Sequence, residues 1–306
     1  MMDPAYLFHM SSGSLRGFAY MGLLATFCIK LIARPAPRFR LLFNRLKHLF
    51  YRFIAHKKFL VADCPKYGLK FKFFIRDGVG RDIYYKYGVY SEDFITDHLL
   101  KNLDLKDEDL VIDIGSNIGW YSLVLSAQAR PTVLSLEPDP LNFSLLEHNV
   151  QINGRQNIRC YNVAVDKEES VKTLHLYKSY NLGRHSFIPH EKSTGSVGVK
   201  TVVLDKLLYE LGLEGAPVRF LKIDIEGYEY PALLGAEKTL RNTFLVLSEF
   251  SPSAMKTIEQ NPMDLVRYLR NLGFTPAHFE QSGLSACDFP SMIQSQNVFN
   301  LLWRRV

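Results

Sequence analysis

The sequence predicts a doubly wound α/β fold, a mostly parallel sheet of about seven strands with an N-terminal helical arm and a β-arm insertion. Three segments predict it. Val111-Ile112-Asp113-Ile114 is a largely apolar strand that runs into a glycine turn, as interior strands of a parallel sheet do. About 20 residues on, Val133-Leu134-Ser135-Leu136-Glu137 is a second apolar strand that ends in an acid. Phe220-Leu221-Lys222-Ile223-Asp224-Ile225 is a third, and it runs into Glu226-Gly227.

Each remaining element follows from its pattern. Residues 60–76 alternate like a strand pair around Lys66-Tyr67-Gly68. A tyrosine-rich piece, 81–92, leads into a helix ending near Asn102. It is placed to cap a pocket, although most of its tyrosines read as buried fillers. Helices are expected at 118–129, 141–153 and 228–240, and further strands at 158–163, 244–249 and 273–279. Residues 297–303 read as a last strand, antiparallel at or near the edge. Right-handed crossovers join these units into one twisted sheet. Residues 170–203 read as a β-arm whose polar loop, 180–186, can lie over the sheet end.

The turn after the first strand separates ligand classes. Dinucleotide folds use G-x-G-x-x-G, because a pyrophosphate sits on the helix N-terminus. Here the turn is Gly115-Ser116-Asn117-Ile118-Gly119, with no middle glycine, and no G-K-[ST] marks a triphosphate site. Gly115 and Gly119 let the backbone turn sharply and a ligand come close. Asp113 places a carboxylate at the mouth, which repels phosphate and suits a cationic, amino-bearing ligand. S-adenosylmethionine has an adenosine, an amino-acid end and a sulfonium. It fits this turn better than NAD does, with Glu137 placed to hydrogen-bond ribose hydroxyls. Alone, the turn reads equally well as an ordinary strand-turn-helix capped by Ser116 or Asn117. Glu137 tips the balance toward a cofactor site.

In the third segment, strand alternation puts Lys222, Asp224 and Glu226 on one face and their apolar neighbours on the other. Charges of both signs inside an apolar strand are costly unless paired, and such clusters are what active sites use. The plainer alternative is a local ion pair before a helix, with Glu229 at that helix's positive end.

On these residues the chain resembles the FkbM family of S-adenosylmethionine-dependent methyltransferases. The matching runs are 111–122, 136–140 (L-E-P-D-P), 145–153, 199–205 and 247–250, with L-K-I-D-I-E-G-Y-E at 221–229 the most specific. The likeness runs from about Asp77 to the C-terminus. It implies a Rossmann-like class I methyltransferase fold, with Asp113, Gly115, Asn117, Gly119, Glu137, Pro138 and Asp224 binding the cofactor. It also implies O-methylation, commonly of glycan or natural-product hydroxyls. An aliphatic hydroxyl is a poor nucleophile that benefits from a base. Asp224, Glu226 and His185 are the candidates, His185 having the most suitable ordinary pKa. Glu249 and Lys222 are expected to meet the substrate. The alternatives are an N- or nucleic-acid methyltransferase and an inactive membrane-tethered module. D-I-E-G where many amino methylators carry N-P-P-Y weighs against the first.

Composition bounds the rest. Cys28, Cys64, Cys160 and Cys287 are scattered without metal spacing, so no zinc site is expected. An oxygen-ligand site at Asp224 and Glu249 stays open. The net charge of +6 comes from the N-terminal region: ten Lys and Arg and no Asp or Glu lie between Pro4 and Ala62. The 27 basic and 31 acidic residues elsewhere leave about −4, which gives no reason to expect nucleic acid. Residues 17–33 are an apolar run broken by Lys30, slightly short for a spanning helix. Residues 39–59 then read as a basic amphipathic helix, with Phe39, Leu42, Phe43, Leu46, Leu49, Phe50, Phe53 and Ile54 on one face. Residues 1–58 are therefore expected to be a membrane-surface arm. Residues 59–306 are expected to be the methyltransferase domain, capped by 59–105 and facing the cytoplasm. Packing of the amphipathic helix on the domain, or a transit segment, are the competing readings.

Overall fold

The computed structural model describes residues 37–306 except 179, 281 and 306, with side chains from 42 onward. The apolar run 17–33 lies outside the described residues. Helix α1 (Pro37–Phe53) opens the described chain, and the division into two compact units falls inside it, between Phe50 and Tyr51. On α1, Leu42, Leu46, Leu49 and Phe53 of the apolar stripe read from the sequence have exposed side chains.

A hairpin follows, β1 (Phe59–Cys64) paired antiparallel with β2 (Leu69–Phe74). Alternation turns Phe71 and Phe73 fully inward. Helices α2 (Gly78–Tyr85) and α3 (Asp93–Asn102) complete the cap. The main sheet then begins with β3 (Leu110–Ile114), α4 (Trp120–Ser126), β4 (Thr132–Leu136), α5 (Pro140–Ile152) and β5 (Ile158–Tyr161). A separate small sheet contains β6 (Ala164–Val165) and the antiparallel arm of β7 (Val171–Tyr177) and β8 (Ser193–Val202). The chain returns through α6 (Leu204–Glu210), β9 (Val218–Ile223), α7 (Glu229–Leu234), α8 (Glu237–Arg241) and β10 (Thr243–Phe250). It ends with α9 (Pro252–Thr257), α10 (Pro262–Asn271), β11 (Phe274–Glu280), β12 (Gly283–Ser285), α11 (Phe289–Gln294) and β13 (Phe299–Arg305).

The main sheet is ordered β12-β11-β13-β10-β9-β3-β4-β5. The five strands from β10 to β5 are parallel, and β13, β11 and β12 are added through successive antiparallel pairings. Strand order reverses between β3 and β9, where α/β sheets open a ligand crevice. Successive residues of each strand feed opposite cores. Ile112, Ile114, Leu221 and Ile223 pack with residues of α6 to α11. Val111, Phe220, Leu245 and Leu247 pack with the hairpin and with residues of α2 to α5. Each fully buried side chain of this size contributes about 1.5–3 kcal/mol.

The last strand is antiparallel and near the edge, third from it, with β11 and β12 outside. Two expectations change. The helix expected over 228–240 is two short helices. Gly235 separates them, packed so tightly that a Cβ there would lie 2.3 Å from the Asp166 carbonyl oxygen. The alternation assumed through Glu226 stops at Ile223, and Glu226 takes a left-handed φ of 59°.

Candidate active site

The C-terminal ends of β3, β4 and β9 open onto a cavity of about 320 Å³, within the range of small-molecule sites. Its floor is residues 114–118, 136–138 and 224–226. The cap contributes Val79, Tyr90 and Glu92, and the arm loop contributes residues 181–187. The arm loop thus lies over the sheet end, as its polarity predicted.

The turn after β3 and the acid after β4 form one unit. Asn117, in the left-handed region at φ 51°, donates its N–H to Glu137 Oε2 at 2.8 Å. Asp139 donates its N–H to Oε1 at 2.9 Å. Burial pushes the Glu137 carboxyl up to about 7 against these bonds. Each oxygen keeps a lone pair for a hydroxyl. Gly115, at φ 73°, admits no other residue, since a Cβ would lie 2.1 Å from the Asp224 carbonyl oxygen. Gly115, Asn117, Glu137, Pro138 and Asp224 all line the cavity.

Two expected cofactor ligands do not. Asp113 is 1% exposed and lies outside the cavity wall. Its Oδ2 accepts from the Ser122 N–H and hydroxyl at 3.1 and 2.5 Å. Its Oδ1 is 3.5 Å from Lys222 Nζ. The β3–β9 register sets Asp113 directly beside Lys222, and this pairing commits the carboxylate to the fold. Gly119 also lies outside the cavity lining, and a Cβ there would lie 2.7 Å from Leu146 Cδ1.

Lys222, expected to meet substrate, is spent on the same framework. Its ammonium donates to the Gly115 carbonyl at 2.8 Å and lies 3.5 Å from both Asp113 and Asp224. The first is a hydrogen bond and the other two are ion pairs, and Lys222 still lines the cavity. Burial pushes its pKa down, but Asp224 and Asp113 outweigh that and hold it charged. His185 is likewise unfit as a base. Its Nδ1 accepts the Tyr177 N–H at 2.9 Å, which leaves the proton on Nε2, 4.0 Å from Asp139. Burial lowers its pKa further.

The remaining acids converge. Carboxylate oxygens of Asp224, Glu226 and Glu249 lie within 4.8 Å of one another and could hold a divalent cation. Burial, then Asp224, pushes Glu226 up to about 8. Burial and the neighbouring Glu226 push Glu249 well above the usual carboxylate range. Arg184 pairs with Glu226 at 3.5 Å. Glu229 accepts the N–H groups of Ile225 and Gly227 at 3.0 and 3.2 Å, so it braces the turn that carries Glu226.

Sequence reasoning missed Glu92 and Tyr121. Tyr121 donates to Glu92 Oε2 at 2.8 Å, and both line the cavity. The signal for Glu92 was its place at the end of the tyrosine-rich piece.

The fold and this site define a class I methyltransferase. A family model, the methyltransferase FkbM domain, matches residues 113–276. Methyltransferase sdnD from Sordaria araneosa is 26% identical over 221 residues, covering 58% of this chain and 82% of that protein. The hexuronic acid methyltransferase AglP from Haloferax volcanii is 30% identical over 156 residues, covering 48% of this chain and 57% of that protein. The match therefore spans little more than half of AglP. Among solved structures, an rRNA methylase from Streptococcus thermophilus superposes with a TM-score of 0.42 at 12% identity, over 69% of this chain and 95% of that one. The chain belongs to the FkbM methyltransferase domain family, and it is an S-adenosylmethionine-dependent methyltransferase.

Proposed function

We propose that this enzyme methylates a hydroxyl oxygen of a glycan, glycolipid or natural-product acceptor. The observation that carries the reading is the cluster of the Asp224, Glu226 and Glu249 carboxylates beside the Glu137-lined floor, where burial raises the pKa of Glu226 and Glu249. An activated methyl donor needs little help beyond alignment, whereas a neutral hydroxyl needs a proton acceptor. The name of the relative AglP, a hexuronic acid methyltransferase, agrees with a sugar acceptor. The mildly acidic domain and the crevice's acidic lining disfavour nucleic acid.

S-adenosylmethionine, when bound, supplies an electrophilic methyl group on sulfur. Glu137 would hold the ribose hydroxyls, while the Gly115 and Asn117 backbone, Pro138 and Asp224 would line its seat. Lys222 holds Asp224 in place and neutralises part of the acid cluster. Glu226 would take the proton of the acceptor hydroxyl as its oxygen accepts the methyl group, which would leave Glu226 protonated. Glu249 orients the acceptor.

Exposed Leu42, Leu46, Leu49 and Phe53, in a region of ten basic residues and no acid, support docking of residues 17–59 on an anionic membrane surface, with the catalytic domain in the cytoplasm. No helix among the described residues is long and apolar enough to cross a membrane.

Methyl-labelled S-adenosylmethionine, incubated with the enzyme and separated glycolipid, protein and RNA fractions, tests the acceptor class. Label in the glycolipid fraction supports the reading. Label confined to RNA overturns it.

A further inference from the structure

Asp77 precedes the first turn of α2 and is 1% exposed. One carboxylate oxygen, Oδ2, accepts the Gly80 N–H at 2.9 Å and caps the helix. A serine satisfies a helix start as well as an aspartate does, so capping accounts for only one of the two oxygens. The other, Oδ1, accepts the N–H of Leu182 at 2.9 Å, 105 residues away in the arm loop.

Leu182 is gripped from its other side too. Its carbonyl accepts Asn142 Nδ2 at 3.0 Å. The Asn142 N–H donates to Asp139 Oδ1 at 2.8 Å, and the Asp139 N–H donates to Glu137 Oε1 at 2.9 Å. A continuous hydrogen-bonded chain therefore runs from the cap, through the arm loop, to the acid placed for the donor's ribose. The loop it fixes passes close over the floor, since a Cβ on Gly183 would lie 2.9 Å from Asn117 Nδ2.

We infer that Asp77 is a positioning residue for the methyl donor: its second oxygen clasps the arm loop over the crevice and sets the Asn142–Asp139–Glu137 chain. The inference rests on the crevice binding S-adenosylmethionine, as proposed above. It assigns Asp77 no contact with donor or acceptor. Cap and arm become one wall, and that wall is complete only while the Leu182 N–H is held.

Asp77→Ser separates the two functions, because a serine hydroxyl keeps the helix cap and cannot reach both donors. Calorimetric titration with S-adenosylmethionine should give a dissociation constant about tenfold higher for Asp77→Ser, the loss of one charge-assisted bond. The melting temperature should stay within a few degrees of the unmodified protein. Amide exchange of the unmodified enzyme supplies a readout that needs no variant: the Leu182 amide should be protected, and more so with the donor bound. Equal donor affinity in the two proteins, or a fast-exchanging Leu182 amide with the donor bound, overturns the clasp while leaving the methyltransferase reading intact. Failure of the unmodified protein to bind the donor overturns both.

Discussion

Glu226→Gln should make the protein more stable and less active, and the size of the first effect follows from the site. Burial and the neighbouring Asp224 lift the Glu226 carboxyl from an ordinary value of 4.5 to about 8. A carboxyl raised in the folded state stays protonated there while the unfolded chain ionises. Below pH 4.5 it is neutral in both states and costs nothing. Between pH 4.5 and 8 stability falls as pH rises, and above pH 8 the full penalty is present. At 1.36 kcal/mol per pH unit, the penalty is roughly 4–5 kcal/mol. That net shift already contains the opposing pull of Arg184, so the glutamine variant should gain roughly 4–5 kcal/mol in urea unfolding at pH 9 and nothing at pH 4. Its methyl transfer should fall about 10²–10⁴-fold, the usual loss for a missing base. In the unmodified enzyme, kcat/KM should climb as pH rises through 8. A variant less stable at pH 9, or a stability difference that does not change with pH, would refute the burial argument.

Other outcomes follow from the same geometry. Asp113→Asn leaves Lys222 buried with a weaker partner, so it should cost about 3–5 kcal/mol in urea unfolding, the range for breaking a buried pair. A loss of donor binding without any loss of stability would return Asp113 to a direct contact. His185→Gln should leave the inflection of the pH–rate profile near 8, because the Tyr177 N–H occupies Nδ1 and leaves the proton on Nε2. A flattened profile would restore the histidine as base. Deleting residues 1–58 should move the protein from the membrane pellet to the supernatant in a co-sedimentation assay. Continued co-sedimentation would remove the arm from membrane docking.

The parallel strands were legible because they are short apolar runs bounded by turns. The floor of the crevice was legible because Gly115, Asn117 and Glu137 lie at strand ends, where α/β sheets bind ligands. What failed depended on register and tertiary packing. Whether Asp113 points into the crevice or under it is decided by its pairing with Lys222, 109 residues later in the chain. The break between α7 and α8 comes from contact of Gly235 with the Asp166 backbone, which no helical periodicity records. His185 carried the right ordinary pKa for a base, but a single backbone N–H, from Tyr177, fixes its tautomer. Glu92 precedes the sheet in sequence and reaches the cavity only because the cap folds back over it. The strand containing Trp303 could be recognised as antiparallel and near the edge, where β11 and β12 lie outside it.

Isothermal titration of S-adenosylmethionine into the unmodified protein and into Glu137→Ala tests most directly that the crevice between β3, β4 and β9 seats the methyl donor. A single site on the unmodified chain, weakened at least about tenfold when both ribose-facing oxygens are removed, is the expected result. Equal affinity in the two proteins would place the donor elsewhere and contradict the account.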